Sequence, residues 1–279
     1  MNRLSAGLKY GTFITLLLWT LFPIYWMLVI TTQESSDLFT KVSIFPRSFT
    51  LEHIVNIFVQ DQYMGPLINS FIITVSSLLI VLVFGLSSAY VLGRRTFRSH
   101  YRIFKSSLMI WILLVRVLPP ITFALPLYIM MNDAGLLNTK IPIIVAHVLV
   151  NLPLVIWFMM AFFYGVPGEI EESARMDGAS EFMIFTKVML PLVIPGIAAV
   201  TILSFMASWN EYLYSVIFIQ SPDSFTIPLK LATLNSEQEL TEWGKVAGGG
   251  LVSVLPVLLT AIFLQKHLIS GLTAGAVKE

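Results

Sequence analysis

Long apolar runs alternate with short polar connections along this chain. The runs occupy about 10–31, 67–92, 106–131, 141–164, 192–219 and 246–268. Each reaches the roughly 20 residues a helix needs to cross a hydrocarbon core about 30 Å thick. Within lipid, backbone N–H and C=O groups must be satisfied inside the segment, which predicts helices. The pattern therefore predicts an all-α integral membrane fold with six transmembrane helices in a single domain, 1–279. The first run follows Arg3 and Lys9 and ends in Thr31, Thr32, Gln33 and Glu34. It is longer than the 7–15 residue apolar core of a signal peptide and lacks a small-residue cleavage site, so it is expected to remain as the first span. No internal repeat is visible.

Charge orients the spans. Arg94, Arg95, Arg98, Arg102 and Lys105 crowd one connection that holds no acid, and Arg3, Lys9, Arg175, Lys187, Lys266 and Lys278 fall on the same side. Lys41, Arg47, Lys140, Lys230 and Lys245 fall on the other, and Arg116 lies within a span. The positive-inside rule then places both termini and the 165–191 loop in the cytoplasm. Segments 32–66 and 220–245 lie outside as short helices and loops, too short for a domain of their own.

Composition narrows the function. Hydrophobic residues make up 56% of the 279, charged residues 12%, and mean hydropathy is +0.82. Soluble domains carry about 25% charged residues. A net charge of +1 gives no electrostatic reason for a nucleic-acid partner. The absence of cysteine excludes disulfides, thiolate metal sites and cysteine nucleophiles. No GxxxxGK[ST], HExxH or GxSxG motif occurs. Gly248, Gly249 and Gly250 lack the phosphate-loop lysine and open an apolar run, which points to close helix packing. The chain is read as a non-enzyme with no catalytic residue, metal or cofactor of its own.

The exception to the apolar pattern is the loop 165–191, which gathers Glu169, Glu171, Glu172, Arg175, Asp177, Glu181 and Lys187. Gly178 after Asp177 signals a turn, so helix, turn, helix is predicted. Ile170, Ser173, Ala174 and Asp177 then share a face that a partner protein can approach. Phe182, Phe185 and Met189 form an apolar stripe on the second helix, and Pro191 marks the break into the next span.

Polar groups inside the spans form the second set of candidates. Arg116 precedes Pro119 and Pro120, whose rings free backbone carbonyls. Its guanidinium either satisfies those carbonyls in a structural or gating role or lines a polar cavity. His147 and Asn151, at i and i+4, are too few for a metal site. They serve interhelical hydrogen bonding or line a path. Asn210 lies roughly 27 Å into its span at 1.5 Å per residue, with Glu211 beside it. A carboxylate there faces a partner, a cavity or water. Both path lining and interfacial packing, with Trp209 and Tyr212 as belt aromatics, stay open.

The spacing Glu172-Ser173-Ala174, three residues, Gly178, nine residues, Val188, one residue, Leu190-Pro191 closely resembles the EAA loop of ABC importer membrane subunits. Ser173 stands for the first alanine and Val188 for isoleucine. Ser270 to Glu279 looks like the tail of the second permease in maltose- and trehalose-type importers, with Glu279 where glycine is common. Trp209-Asn210-Glu211 is similar to a Trp-Asn-acid segment of the fifth span in the same proteins. The resemblance implies a type I ABC importer permease fold in a bacterial inner membrane. It implies that Glu172, Ser173, Ala174, Asp177, Gly178, Leu190 and Pro191 couple to an ATPase, with Gly271, Leu272, Thr273 and Gly275 of the tail (269–279) as further contacts. It implies a second permease subunit, two ATPase subunits carrying ATP and Mg, a periplasmic or lipid-tethered binding protein and a sugar substrate, with membrane lipids around the spans. Arg116, Asn151, Asn210 and Glu211 are the candidate translocation path. An importer of a non-sugar solute and a secondary transporter are the rivals. The latter is disfavoured because the hydropathy halves do not match and the midplane holds only Arg116.

Overall fold

The computed structural model describes residues 3–38, 44–93, 102–234 and 243–276. Among these there is no strand. The helices are α1 (Arg3–Thr32), α2 (Ser35–Leu38), α3 (Glu52–Val59), α4 (Met64–Gly93), α5 (Arg102–Val117), α6 (Ile121–Asp133), α7 (Ile141–Gly165), α8 (Gly168–Met176) and α9 (Glu181–Met183). A π-helical segment, Ile184–Met189, leads into α10 (Leu190–Leu192), α11 (Ile194–Trp209) and α12 (Leu213–Phe218), then α13 (Ile227–Leu234) and α14 (Trp243–Ala276). Four helices are singly long and apolar enough to cross a membrane; counting each of two bent pairs as one span raises this to six.

The bends depart from the straight spans expected of the hydropathy. The run 106–131 is two helices, α5 and α6, at 95°. Pro119 and Pro120 supply the cause: neither has an N–H to continue the ladder, and the residue before a proline is driven out of the α region. The run 192–219 is also two helices, interrupted between Trp209 and Leu213. At its start the chain turns by 79° between Glu181–Leu192 and Ile194–Trp209, with Val193 at φ −104°, ψ 14° as the hinge. The break thus falls two residues beyond Pro191. The last helix continues to Ala276, past the expected end near 268. At 1.5 Å per residue its 34 residues extend about 51 Å, longer than a hydrocarbon core. The bases Arg94, Arg95 and Arg98, and Val277, Lys278 and Glu279, lie outside the described residues.

Backbone contacts divide the chain into two compact units, one of Met1–Leu67 with Ile227–Pro256 and one of Ile68–Thr226 with Val257–Glu279. In the first, the glycine run lets α14 approach its neighbours closely: a Cβ on Gly249 would lie 2.8 Å from Leu231 and 3.3 Å from the Tyr63 hydroxyl. Buried Tyr63 donates to the Gly249 carbonyl at 3.1 Å and pairs with Ser253 Oγ at 3.0 Å. Burial pushes its phenol up to about 12, against the Ser253 bond, so it stays a neutral donor. The close-packing reading of the glycines holds here.

In the second unit α4, α7 and α11 build a core of Val81, Leu86, Ala89, Val155, Met159 and Val200. A Cβ on Gly196 would meet the Phe162 ring at 2.6 Å, so α11 lies tight on α7. The same core continues through Tyr90 and Phe163 to Ile184, Met189 and Val193 of the polar loop. The loop is therefore an extension of the packed spans.

Candidate functional site

The polar loop folds as helix, turn, helix. α8 ends in a Schellman arrangement: Ala179 N–H donates to the Ala174 carbonyl at 3.0 Å and Gly178 N–H to the Arg175 carbonyl at 3.1 Å. This closure needs a left-handed residue after the cap, and Gly178 sits at φ +83°. Ser180 then caps the next helix, its Oγ accepting from Met183 N–H at 3.3 Å.

Adjacent glutamates have opposite surroundings. Glu171 turns inward, its side chain 14% exposed, and accepts the Tyr90 hydroxyl at 2.9 Å and Arg175 at 3.2 Å. Arg175 reaches on to Glu181 at 3.1 Å. Exposed ion pairs of this kind contribute about 0.2–1 kcal/mol each. A hydrogen bond to a charged group contributes about 1.5–3 kcal/mol, so Tyr90 is the main polar tie from the loop to α4. Tyr90 is itself buried, with its ring 5.0 Å from Phe185 and 5.5 Å from Phe163. The Glu172 side chain is exposed and has no hydrogen bond or ion pair among the described residues.

The two expected stripes divide between inside and outside. Ile170, Ser173 and Asp177 are exposed, but Ala174 is half-buried and packs, with Ala179, on the chain's own core. The turn joins their backbones through the Ala179 N–H to Ala174 carbonyl bond. On the second helix Phe182 is 75% exposed while Met189 is 4% exposed and Phe185 lies against the core. The π-helical register changes the angular step from the α value on which the stripe was drawn. Leu190 packs on the core and Pro191 is exposed.

A buried polar seam crosses the second unit. Asn151 Nδ2 donates to Ser208 Oγ at 3.0 Å, and Ser208 Oγ lies 3.5 Å from Ser77 Oγ, joining α7, α11 and α4. Both Asn151 and His147 are 3% exposed. His147 Nε2 lies 3.4 Å from Glu211 Oε2. The other Glu211 oxygen accepts Tyr214 N–H at 2.8 Å, capping α12 where the chain breaks. Asn210 differs: it is exposed, and its Nδ2 bonds only back to the Met206 carbonyl of its own helix, at 3.0 Å. Trp209 is buried and stacks on Phe205 with centroids 5.5 Å apart, so it is a core ring and not a belt aromatic.

The missing N–H groups of Pro119 and Pro120 free the carbonyls four residues earlier, those of Val115 and Arg116, and among the described residues no Arg116 side-chain hydrogen bond to them is seen. Arg116 is exposed in the last turn of α5, where a cation suits the helix dipole. The Pro120 carbonyl, beyond the break, accepts the Tyr214 hydroxyl at 2.8 Å. Gly271, Leu272, Thr273 and Gly275 continue the backbone of α14, and their side chains lie outside the described residues. Tyr90, Glu171 and Ser208 are the residues sequence reasoning missed. Glu171 and Arg175 carried a signal, an i,i+4 opposite-charge pair. Tyr90 and Ser208 carried none, since their partners are 81 and 57 residues away.

Residues 81–273 match the family described as binding-protein-dependent transport system inner membrane component. The chain is 30% identical to the trehalose transport system permease protein SugB of Mycobacterium tuberculosis, covering 93% of each. It is 32% identical to the melibiose/raffinose/stachyose import permease protein MelC of Bacillus subtilis, covering 92% of this chain and 91% of MelC. Its fold is that of a chain in the crystal structure of a bacterial ABC transporter for alginate import, with a TM-score of 0.78 at 20% identity over 95% of this chain and 96% of the other. The chain belongs to the family of inner membrane components of binding-protein-dependent transport systems.

Proposed function

We propose that this chain is one permease subunit of an ATP-driven importer for a sugar or sugar derivative. It pairs with a second permease, rests on two ATPase subunits that bind ATP and Mg, and receives substrate from a periplasmic or lipid-tethered binding protein. The observation that carries this reading is the two-faced loop. Its inner face is bonded to α4 through Tyr90 and Glu171, and its outer face leaves Glu172, Ser173, Asp177, Gly178 and Pro191 exposed. A lever needs both: a stiff root and an open face for the engine. Ala174 and Leu190 contribute to the root. Gly271, Leu272, Thr273 and Gly275 add a second ATPase contact. The naming of relatives for trehalose and for melibiose, raffinose and stachyose supports a sugar cargo.

The test is uptake into proteoliposomes holding the complete complex. Sugar accumulation is expected only with ATP inside and binding protein outside; accumulation driven by an ion gradient without ATP would overturn the reading. Both termini and the loop lie in the cytoplasm. An impermeant thiol reagent on intact cells is therefore expected to label Ser48→Cys and spare Ser180→Cys, and labelling of the latter would reverse the orientation.

Along the path, Asn210 faces the substrate route, Arg116 stands beside the α5–α6 break, and Asn151 and Glu211 hold the seam that shapes it. Losing Glu211 uncaps α12 and strands buried His147, a cost of about 1–3 kcal/mol. Glu211→Ala is therefore expected to lower the amount of assembled complex with uptake per complex retained. Asn210→Ala is expected to leave assembly intact and change uptake kinetics. Measuring uptake normalised to assembled complex separates the two, and the reverse pattern would exchange their roles.

A further inference from the structure

A cavity of about 270 Å³ opens where the end of α4, the start of α5 and the end of α7 meet. Gly93, Lys105, Met109, Trp157, Ala161 and Tyr164 line it, and the wall is mostly apolar. Gly93 is the last residue of α4, Tyr164 the last but one of α7, and Lys105 lies in the first turn of α5. Three helix ends at one level mark the boundary between hydrocarbon and water. Tyr164 is half-exposed there, the placement of an interfacial aromatic, and half-exposed Trp157 lies seven residues earlier, about 10 Å deeper along α7.

We propose that this cavity binds one anionic phospholipid, with phosphate at Lys105 and part of an acyl chain against Met109 and Ala161. The wall chemistry selects this class. Among the described residues no carboxylate or amide side chain lines the cavity, so a sugar's hydroxyls would find few partners there. An apolar slot with one cation at the bilayer surface fits a molecule that is hydrocarbon at one end and negative at the other. The sequence strengthens the field: from Gly93 to Lys105 it carries five basic residues and no acid. Basic sites between helices at a membrane surface attract anionic headgroups. The volume admits only part of one chain, so the headgroup sets selectivity.

The test uses the purified importer complex, titrated with phosphatidylglycerol or phosphatidylcholine and read by native mass spectrometry. One retained phosphatidylglycerol attributable to this subunit is expected, with phosphatidylcholine unable to displace it. Lys105→Gln is expected to weaken retention about fivefold, the worth of one surface lysine. Ala161→Trp fills the slot and is expected to abolish retention. Equal retention of the two lipids, or unchanged retention in both variants, overturns the proposal. A cysteine placed at Ala161 that cross-links to a partner subunit overturns it too, because protein would then occupy the cavity. Lys105→Gln keeps the test decisive should Ala161→Trp fail to assemble.

Discussion

Gly178→Val is expected to abolish coupled transport while the subunit still inserts into the membrane. Gly178 holds φ at +83° to close the Schellman turn. A left-handed conformation costs an ordinary L-residue about 1–2 kcal/mol, and a β-branched residue is among the worst placed to adopt it. The turn would open and the two helices of the lever would lose their mutual angle. Space within the chain is not the obstacle, since a Cβ at Gly178 meets nothing within 4 Å. That separates two reasons for glycine. Asparagine tolerates positive φ but adds a side chain. If conformation alone matters, Gly178→Asn retains most of the uptake. If the ATPase surface approaches the turn closely, asparagine fails as valine does. ATP-driven uptake per assembled complex measures both, and wild-type uptake by Gly178→Val would end the case for a tightly docked turn.

Reversing charge at Glu172 is expected to release the ATPase and leave the membrane subunit folded. The neighbouring Glu171 is the control. Glu171 holds Tyr90 and Arg175 within the chain, so Glu171→Lys is expected to lower the thermal stability of the subunit itself. Glu172 has no such partner among the described residues. Removing one half of a charge pair that becomes buried at an interface costs about 2–5 kcal/mol. The expected loss of ATPase affinity is therefore about thirtyfold or more. Co-purification of the ATPase reads this loss, and a compensating acidic-for-basic exchange on the ATPase is expected to restore it. Full coupled transport by Glu172→Lys would assign the residue to a solvated face.

Hydropathy was enough to locate the apolar runs because span length is a property of consecutive residues. It is blind to what happens within a run. The α5–α6 bend was half legible, since Pro119 and Pro120 announce a break but not its 95°. The interruption after Trp209 was not legible, because Glu211 and Tyr212 only become a helix cap once α12 folds back. In the loop, the turn at Gly178 could be read locally. Which face pointed inward could not, because Ala174 and Met189 are packed on a core that α4 and α7 supply from elsewhere in the chain. Tyr90 escaped for the same reason: its role exists only across 81 residues of separation.

The π-helical segment has a consequence for which changes the loop can accept. Ile184 and Met189 are five apart and both buried. At 100° per residue an α-helix would set them about 140° apart. The i→i+5 register brings them onto one side, and the Leu190 N–H donating to the Phe185 carbonyl is one of its bonds. The stretch from Ile184 to Met189 thus carries a surplus residue that is structurally spent. A substitution there alters one contact; the loss of a single residue changes phase. Deleting any one of Phe185, Thr186, Lys187 or Val188 would let the segment relax to an α-helix and swing everything before it, Phe182 and the Glu172 face included, relative to α11. The segment is therefore intolerant of length, and length variation among proteins that share this lever should stop short of these six positions.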